Sequence, residues 1–304
     1  MSETSPDEKI EPAKTPGAHG PENPHDEDTI AEEVVEVFEE VGQFSFQVVF
    51  GTIAHILAYL GEVVLLFGEA LRSLVQRGVN AGDLFRQMAV IGVESLPIAL
   101  LTIGFSGAVL ALYSVNTLKT YGAAGLVGGI VALSIVRETG PILTGVAIAA
   151  RAGSAITAEI GSMKVSEQID ALRSMAITPV EYLVKPRLIA SLIMLPVVTI
   201  FADLAGVMGG AIVAASKGVS WTEYLSSIQQ LMEADGSDIS KGLLKTVVFG
   251  AIIALVGCRE GLETEGGASG VGQSTTRSVV ISIVLIFITD FLLTFLLFNK
   301  GVSP

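Results

Sequence analysis

Apolar segments that are long enough to cross a lipid bilayer recur along this chain of 304 residues. A transmembrane helix needs about 20 predominantly apolar residues, because the hydrocarbon layer of a bilayer is about 30 Å thick. The fourth segment is short, so we expect its helix to begin about one turn earlier, near Lys241. The pattern predicts an all-α, polytopic integral membrane protein with five transmembrane helices. The apolar segments are residues 91–115, 126–150, 188–215, 243–256 and 279–298.

Charge is divided unevenly between an N-terminal tail and this apolar body. Residues 1–40 contain 13 of the 31 acidic residues but only two of the 18 basic ones, so the rest of the chain is nearly neutral. A nucleic-acid-binding protein needs a basic surface that displaces phosphate counterions, and this charge pattern excludes that class. The single cysteine, Cys258, excludes a disulfide framework and a cysteine-based zinc site. Only three histidines are present, which argues against a histidine metal cluster.

The N-terminal region has two parts that differ in composition. Residues 1–30 are rich in proline and acidic residues, and we expect this tail to be disordered. Residues 31–84 show apolar side chains at helical spacing and form an amphipathic helical segment before the five-span domain (85–304). Within residues 48–71, His55, Glu62 and Glu69 recur every seven residues as one polar stripe. The stripe favours a helix that lies in the membrane interface, although the length would also allow a sixth span.

The loop between the second and third apolar segments carries the most basic residues. The positive-inside rule therefore assigns this loop to the cytoplasm. Five spans then place the N-terminus in the cytoplasm and the C-terminus on the opposite side. The basic residues of the loop are Arg151, Lys164, Arg173, Lys185 and Arg187.

The same loop, at about residues 158–176, predicts a short amphipathic helix. Ser166 can cap it, and Glu167 falls in its first turn, where the helix dipole favours an acidic side chain. Ile169 and Leu172 share its apolar face. Such a helix, parallel to the membrane, would be a lever for a partner protein or a surface helix resting on the bilayer.

Several ionisable residues fall inside the spans, where a charge is costly and needs a partner. The rise of a helix puts Arg137 and Asp290 at similar depths, so we expect these two to pair and Glu138 to contact Lys245. The charged cluster would either line a cavity or gate, or lock the helices together. The residues concerned are Arg137, Glu138, Asp203, Lys245 and Asp290.

Motifs of soluble enzymes are absent from the sequence. There is neither a His-Glu-x-x-His nor a Gly-x-Ser-x-Gly motif. Residues 267–274 (GASGVGQS) approach a phosphate-binding loop, but Gln273 stands where the loop needs lysine. We interpret this stretch as a flexible cytoplasmic connection between two spans.

Three stretches carry a resemblance to a known family. Residues 132–141 (ALSIVRETGP), residues 150–163 (ARAGSAITAEIGSM) and the pair Glu167–Gln168 are similar to the MlaE/YrbE permease family. The similarity continues through 245–249 (KTVVF) and 275–277 (TTR), and covers about residues 85–298. The family comprises membrane subunits of ABC transporters that are associated with MCE proteins.

The resemblance implies a fold, a cellular place and a set of partners. It implies a homodimer in the bacterial inner (cytoplasmic) membrane, with an N-terminal interfacial (elbow) helix and five spans in each protomer. The partners would be a cytoplasmic ABC ATPase subunit and a periplasmic MCE-domain protein, with glycerophospholipids moving between the membrane and that carrier. The chain itself would hold no cofactor and catalyse nothing, because ATP and Mg²⁺ are bound by the ATPase subunit.

The resemblance also implies two functional sites. The ATPase-coupling residues would be a set in the cytoplasmic loop, whose helix would insert its apolar face into a groove of the ATPase. The outward-facing lipid pocket would be Leu110, Thr117, Leu118 and Tyr121, although Tyr121 also fits an interfacial belt tyrosine. The coupling residues are Glu159, Met163, Glu167, Gln168, Asp170 and Leu172.

Two other classes of function compete with the transporter subunit. An ion-coupled secondary carrier would use Arg137, Glu138 and Asp290 as a proton relay. A membrane-embedded lipid enzyme would need a catalytic constellation, which the sequence does not show. A carrier would follow the proton gradient without an ATPase, and an enzyme would form product alone.

Overall fold

The computed structural model describes residues 54, 57–73, 79–234 and 236–298. By its internal contacts the chain divides into two units, 1–60 and 61–304, and the architecture below is that of the second. The predicted acidic tail (1–30), residues 31–53, His55 and the C-terminal residues 299–304 lie outside the described residues. The described residues form helices and turns and contain no β-strand.

The helices follow one another with short connections. Turns of 3₁₀-helix (Val93–Ser95 and Ala124–Leu126) and of π-helix (Ile135–Thr139, Ala149–Gly153 and Val180–Val184) join several of them into longer rods. The α-helices are α1 (57–73), α2 (Ala81–Ile91), α3 (Leu96–Thr120), α4 (Val127–Ser134), α5 (Gly140–Ile148), α6 (Ser154–Val165), α7 (Gln168–Ser174), α8 (Lys185–Ser216), α9 (Trp221–Ala234), α10 (Asp238–Leu262) and α11 (Gly267–Phe298).

Five of these rods, within the described part of the chain, are long and apolar enough to cross a membrane. They confirm the predicted all-α, polytopic architecture. The fourth begins at Asp238, which is slightly earlier than expected. In chain order, spans one to five are Ala81–Thr120, Ala124–Val165, Val180–Ser216, Asp238–Leu262 and Gly267–Phe298.

Spans one and three pack side by side through glycine. A Cβ atom on Gly107 would lie 2.0 Å from the carbonyl oxygen of Gly206, so the two backbones touch directly. Further along both helices, Lys119 donates a hydrogen bond to the carbonyl of Lys217. The two spans therefore run in the same direction, and their close approach depends on small residues at the contact.

Spans two and four are a second parallel pair. Lys245 Nζ donates to the carbonyl oxygen of Arg137 at 3.0 Å, and further along both spans Thr157 Oγ1 donates to the carbonyl oxygen of Gly257 at 3.1 Å. Because the spans alternate in direction, α6 and α10 end where α8 and α11 begin. We call this end of the bundle the basic end, and the opposite end, where α3 and α8 finish, the far end.

Helix α1 is tied to the bundle at two points. Glu62 Oε2 accepts a hydrogen bond from Arg259 Nε at 3.0 Å, and the carbonyl oxygen of Ser73 accepts one from Lys185 Nζ at 3.0 Å. Arg259 is near the end of α10 and Lys185 begins α8, so both belong to the basic end. The two points are about 16 Å apart along α1, and this geometry favours the interfacial orientation over a sixth span.

The structure corrects one predicted loop and adds a helix that was not predicted. Residues 267–274 are the first turns of α11 and not a flexible connection. The chain reverses just before them, because Gly266 and Gly267 adopt positive φ angles of 83° and 68°. Helix α9 was missed because its polar composition resembles a loop, yet it buries Tyr224 and Ser227 against α4.

We predict that Gly107→Ala disrupts the contact between spans one and three. The added methyl group would meet a backbone carbonyl that cannot rotate away, at a cost of about 1–3 kcal/mol. Folded yield by size-exclusion chromatography and the midpoint of thermal unfolding should both fall. Gly68→Ala in α1 is the control, because nothing lies within 4 Å of its added Cβ. Equal behaviour of the two variants would contradict the packing described for Gly107.

Candidate functional site

A fully buried lysine joins three spans inside the bundle. Lys245 Nζ lies 2.7 Å from Glu138 Oε2, 2.7 Å from Thr294 Oγ1 and 3.0 Å from Asp290 Oδ1, and its side chain is 0% exposed. Glu138 belongs to span two, Lys245 to span four, and Asp290 and Thr294 to span five. The ammonium group, which water cannot reach, is thus surrounded by oxygen atoms. We call Glu138, Lys245, Asp290 and Thr294 the Lys245 cluster.

The expected pair of Arg137 with Asp290 is wrong. Arg137 NH2 lies 2.8 Å from Asp238 Oδ2, and Asp238 is almost completely buried. The error has a simple cause: span four begins at Asp238, whereas the apolar pattern predicts a start near Lys241 and so leaves this carboxylate in a loop. The expected contact between Glu138 and Lys245 is present.

An aromatic ring borders these charges at the end of span five. The centroid of the Phe298 ring lies 5.1 Å from the guanidinium carbon of Arg137, 5.1 Å from Lys241 Nζ and 5.4 Å from Lys245 Nζ. Cations are attracted to the face of an aromatic ring at such distances. The arrangement links the Arg137–Asp238 pair to the Lys245 cluster.

Asp203, on span three, forms no ion pair with the residues of this cluster. Its Oδ1 atom is buried and has no hydrogen-bond partner among the described residues. Its carboxyl group packs against Gly140, where a Cβ atom would lie 1.7 Å from Oδ1. The described residues therefore leave Asp203 without a compensating cation.

The predicted coupling loop folds as two helices and not one. Span two continues as α6 to Val165, and Glu159 and Met163 lie on α6 rather than on the short helix. Glu159 Oε2 accepts a hydrogen bond from Arg187 NH2 at 2.7 Å, which fixes the end of span two to the start of span three. The short helix is α7, Gln168–Ser174.

The predicted cap of α7 is wrong. Ser166 Oγ donates to the carbonyl oxygen of Ser162 at 2.7 Å and accepts from Gln168 Nε2 at 3.0 Å, so it finishes α6. Glu167 precedes α7 with φ of 60°, in the left-handed region, and reverses the chain. A left-handed glutamate costs about 1 kcal/mol or more, which indicates that the surrounding structure imposes this turn.

The two faces of α7 have different environments. Ile169 is 0% exposed and Leu172 packs against the core, so the apolar face is used within this chain. The expectation that this face inserts into a partner is therefore wrong. Glu167, Gln168 and Asp170 are exposed on the opposite side, and Asp170 forms an i,i+3 pair with Arg173 at 3.4 Å. The exposed face of α7 is therefore polar, with exposed apolar side chains at its two ends, Val165 and Met175.

The predicted lipid-pocket residues form a stripe at the end of α3. Leu110 and Leu118 are half-buried and pack against the core, whereas Thr117 is exposed. Tyr121, which caps the helix, is 79% exposed. The described residues bring the four side chains to one face of the helix but do not enclose them.

Helix α9 lies at the far end of the bundle and packs against α4, the first part of span two. Ser227 Oγ accepts a hydrogen bond from the backbone nitrogen of Gly129 at 3.0 Å, and Tyr224 OH donates to the carbonyl oxygen of Val207 at 3.1 Å. Burial of the phenol raises the pKa of Tyr224 to about 12, so it remains a neutral donor at neutral pH. On the other face of α9, Trp221 and Leu225 are exposed.

Metal-binding geometry is not found in the described residues, where no three His, Cys, Asp or Glu side chains are arranged to hold an ion. Asp238 and Thr294 are polar residues of the buried network that the sequence analysis missed. Asp238 could have been found as an acidic residue in the first turn of a span, where the helix dipole favours it.

Comparison with known proteins gives consistent matches over the body of the chain. The sequence profile of a family described as Permease MlaE matches residues 84–296. A probable ABC transporter permease protein of Synechocystis is 43% identical over 235 residues, which are 77% of this chain and 89% of the relative. The intermembrane phospholipid transport system permease protein MlaE of Haemophilus influenzae is 38% identical over 219 residues, 72% of this chain and 84% of that protein. The chloroplastic protein TRIGALACTOSYLDIACYLGLYCEROL 1 of Arabidopsis thaliana is 36% identical over 239 residues, 78% and 68% of the two chains.

The geometry predicts that Lys245 and Asp290 are energetically coupled. Lys245→Met strands a buried carboxylate and should cost about 3–5 kcal/mol, whereas the double variant with Asp290→Asn should recover part of that loss. Folded yield and thermal unfolding midpoints of the four proteins measure the coupling. The control cycle pairs Arg137→Met with Asp290→Asn, which should show a smaller coupling because Arg137 contacts Asp238 and is linked to the Lys245 cluster indirectly, through the Phe298 ring. Coupling in the control cycle but not in the first would contradict the observed pairs.

Proposed function

Because the chain belongs to the MlaE permease family, we propose that it is the membrane subunit of an ABC transporter that moves glycerophospholipids. One observation carries the proposal: the family match, residues 84–296, covers nearly all of the five-span body. The Synechocystis relative is named a probable ABC transporter permease, and the H. influenzae relative is named for intermembrane phospholipid transport. The ATP and Mg²⁺ of the transport reaction would be bound by a separate ATPase subunit.

A cytoplasmic ATPase subunit would engage the exposed polar face of α7. Glu167, Gln168 and Asp170 project from the end of span two, at the basic end of the bundle. A polar surface suits a partner that also exists in contact with water, because no large apolar area is left exposed when the two separate. Glu159 and Met163, which lie on α6, are not part of this surface.

Movement of α7 would be transmitted along span two. Glu138 and Val165 are about 40 Å apart along this rod, at 1.5 Å of rise per residue. Near one end of the rod is α7, and about 40 Å away along it Lys245 binds Glu138 to spans four and five. Displacement of α7 would therefore move three spans together and would open or close a lipid cavity.

A homodimer would complete the lipid pocket. Leu110, Thr117, Leu118 and Tyr121 form a stripe that the described residues leave open. A second copy of the chain, facing the first, would enclose a cavity between the two stripes. A periplasmic MCE-domain protein would receive or deliver the lipid at the far end, where this stripe finishes.

The orientation follows from the basic loop. With the basic end in the cytoplasm, the chain would lie in the bacterial inner membrane, α1 along the cytoplasmic surface and the C-terminus in the periplasm. The contacts of α1 with Arg259 and Lys185 support the same side for the N-terminal segment.

We predict that Asp170→Lys weakens association with the ATPase subunit. The substitution breaks the pair with Arg173 and reverses a charge on the exposed face of α7, while the side chain is 54% exposed and the fold should persist. Co-purification of the ATPase in mild detergent and ATP-dependent lipid transport should both fall.

The matched control for this variant is Glu233→Lys in α9. It makes the same reversal of charge on an exposed residue of the far end. Co-purification of the ATPase should be unchanged in this variant. Loss of the ATPase from the α9 variant, with retention in the α7 variant, would show that the ATPase docks at the far end.

Orientation is tested with two serine-to-cysteine variants, Ser174→Cys in α7 and Ser226→Cys in α9. Both serines are exposed, and each hydroxyl donates a hydrogen bond to the carbonyl three residues earlier in its own helix. The native Cys258 is buried, so it should not react with the thiol reagent. In intact cells an impermeant thiol reagent should label position 226, and it should label position 174 only after permeabilisation. The reverse pattern would invert the proposed topology.

A further inference from the structure

Two adjoining cavities at the basic end have no role in the function proposed above. They lie between the start of α2, the end of α6 and the π-turn that leads into α8. Their volumes are about 140 Å³ and 260 Å³, and both are lined by Asp83, Tyr182 and Pro186. The smaller cavity also contains Arg86, Glu159 and Arg187 in its wall.

The smaller cavity presents a buried hydrogen-bond donor that lacks an acceptor. Arg187 is only 3% exposed; its NH1 donates to the carbonyl oxygen of Leu183 at 2.8 Å, and its NH2 donates to Glu159 at 2.7 Å. Its Nε atom is buried and has no partner among the described residues. Buried donors are nearly always satisfied in folded proteins, so Arg187 is an unusual residue in the wall of this cavity, although its Nε atom is closed to solvent in this structure.

Two further charged side chains of the cavity are available to a ligand. Neither Asp83 nor Arg86 forms an ion pair or a side-chain hydrogen bond with any described residue, although both belong to α2 and line the cavity. The site therefore offers the exposed guanidinium group of Arg86 to an anionic oxygen. It also offers a free carboxylate for a cationic group.

The position of the cavity along the spans corresponds to the depth of lipid headgroups. Arg187 directly precedes the apolar stretch 188–215, and Arg86 comes shortly before the stretch 91–115. Tyr182, which is half exposed, is of a type that concentrates at the membrane–water interface.

From these observations we infer that the cavity binds the zwitterionic headgroup of a phospholipid in the cytoplasmic leaflet. The phosphate accepts hydrogen bonds from the guanidinium group of Arg86 at the cavity wall, and the ammonium group pairs with Asp83. This inference rests on the proposed function and deepens it, because it names a lipid class and a site where the lipid is held at the basic end.

The test compares lipid retention by the full-length protein and three variants. Each is purified from nanodiscs that contain equal amounts of phosphatidylethanolamine and phosphatidylglycerol, and native mass spectrometry counts the lipids that stay bound. The wild type should retain phosphatidylethanolamine in excess. Arg86→Gln should lower retention of both lipids about fivefold to tenfold, because both contain the phosphate. Asp83→Asn should lower only the retention of phosphatidylethanolamine, so that the two lipids are retained in a ratio close to one.

The matched control is Arg72→Gln, an exposed arginine of α1 that does not line the cavity. This variant should behave as the wild type does. If all three variants retain the wild-type ratio while phospholipid is bound, the headgroup site is wrong and the proposed function stands. If the wild type retains no phospholipid at all, the proposed function fails instead.

Two further outcomes would overturn the site by revealing another occupant. Displacement of both lipids by millimolar inorganic phosphate, with no effect of Asp83→Asn, would show that the cavity takes free phosphate. Unchanged lipid retention combined with loss of the ATPase subunit from Asp83→Asn and Arg86→Gln would assign the cavity to the protein interface.

Discussion

The ammonium group of Lys245 is cut off from water, and the bundle depends on the oxygen atoms that replace that water. Glu138, Asp290 and Thr294 come from two other spans, so the cluster forms only when spans two, four and five are assembled in one register. An unpaired charge at this depth would cost several kcal/mol. The cluster therefore specifies which helices are neighbours. Apolar contact alone does this poorly in a membrane, because lipid tails are as apolar as the helix surfaces.

Close backbone contact and rigid rods make such a cluster useful for transport. Gly107 and Gly206 let spans one and three touch directly, while α6 extends span two through the first part of the predicted basic loop to α7. Under the proposed function, a displacement of α7 would reach the buried charges along span two, which contains two π-turns. In the proposed mechanism α7 is the part that the ATPase moves, and the Lys245 cluster binds span two to spans four and five so that they move with it. The proposed headgroup cavity lies close to α7, so a bound lipid would affect the part of the chain that the ATPase contacts.

Much of this architecture could be predicted from the sequence, because a bilayer imposes simple limits on length and polarity. The five spans follow from apolar length, and the contact of Glu138 with Lys245 follows from depth. The partner of Arg137 was wrong, since it depended on where span four begins, and apolar length does not define the polar first turn that contains Asp238. The turn at Glu167 could not be predicted, because a glutamate rarely adopts the left-handed backbone conformation and nothing in the local sequence indicates it.

Transport by the reconstituted complex tests the central claim most directly. Vesicles would contain this chain, its ATPase subunit and a fluorescent phospholipid, and the transfer of that lipid to acceptor vesicles would be followed with ATP or a non-hydrolysable analogue. We predict transfer that requires both the ATPase and hydrolysis, and that is unchanged when the proton gradient is collapsed. Transfer by this chain alone that follows the proton gradient, or chemical conversion of the lipid, would contradict the assignment as an ABC permease.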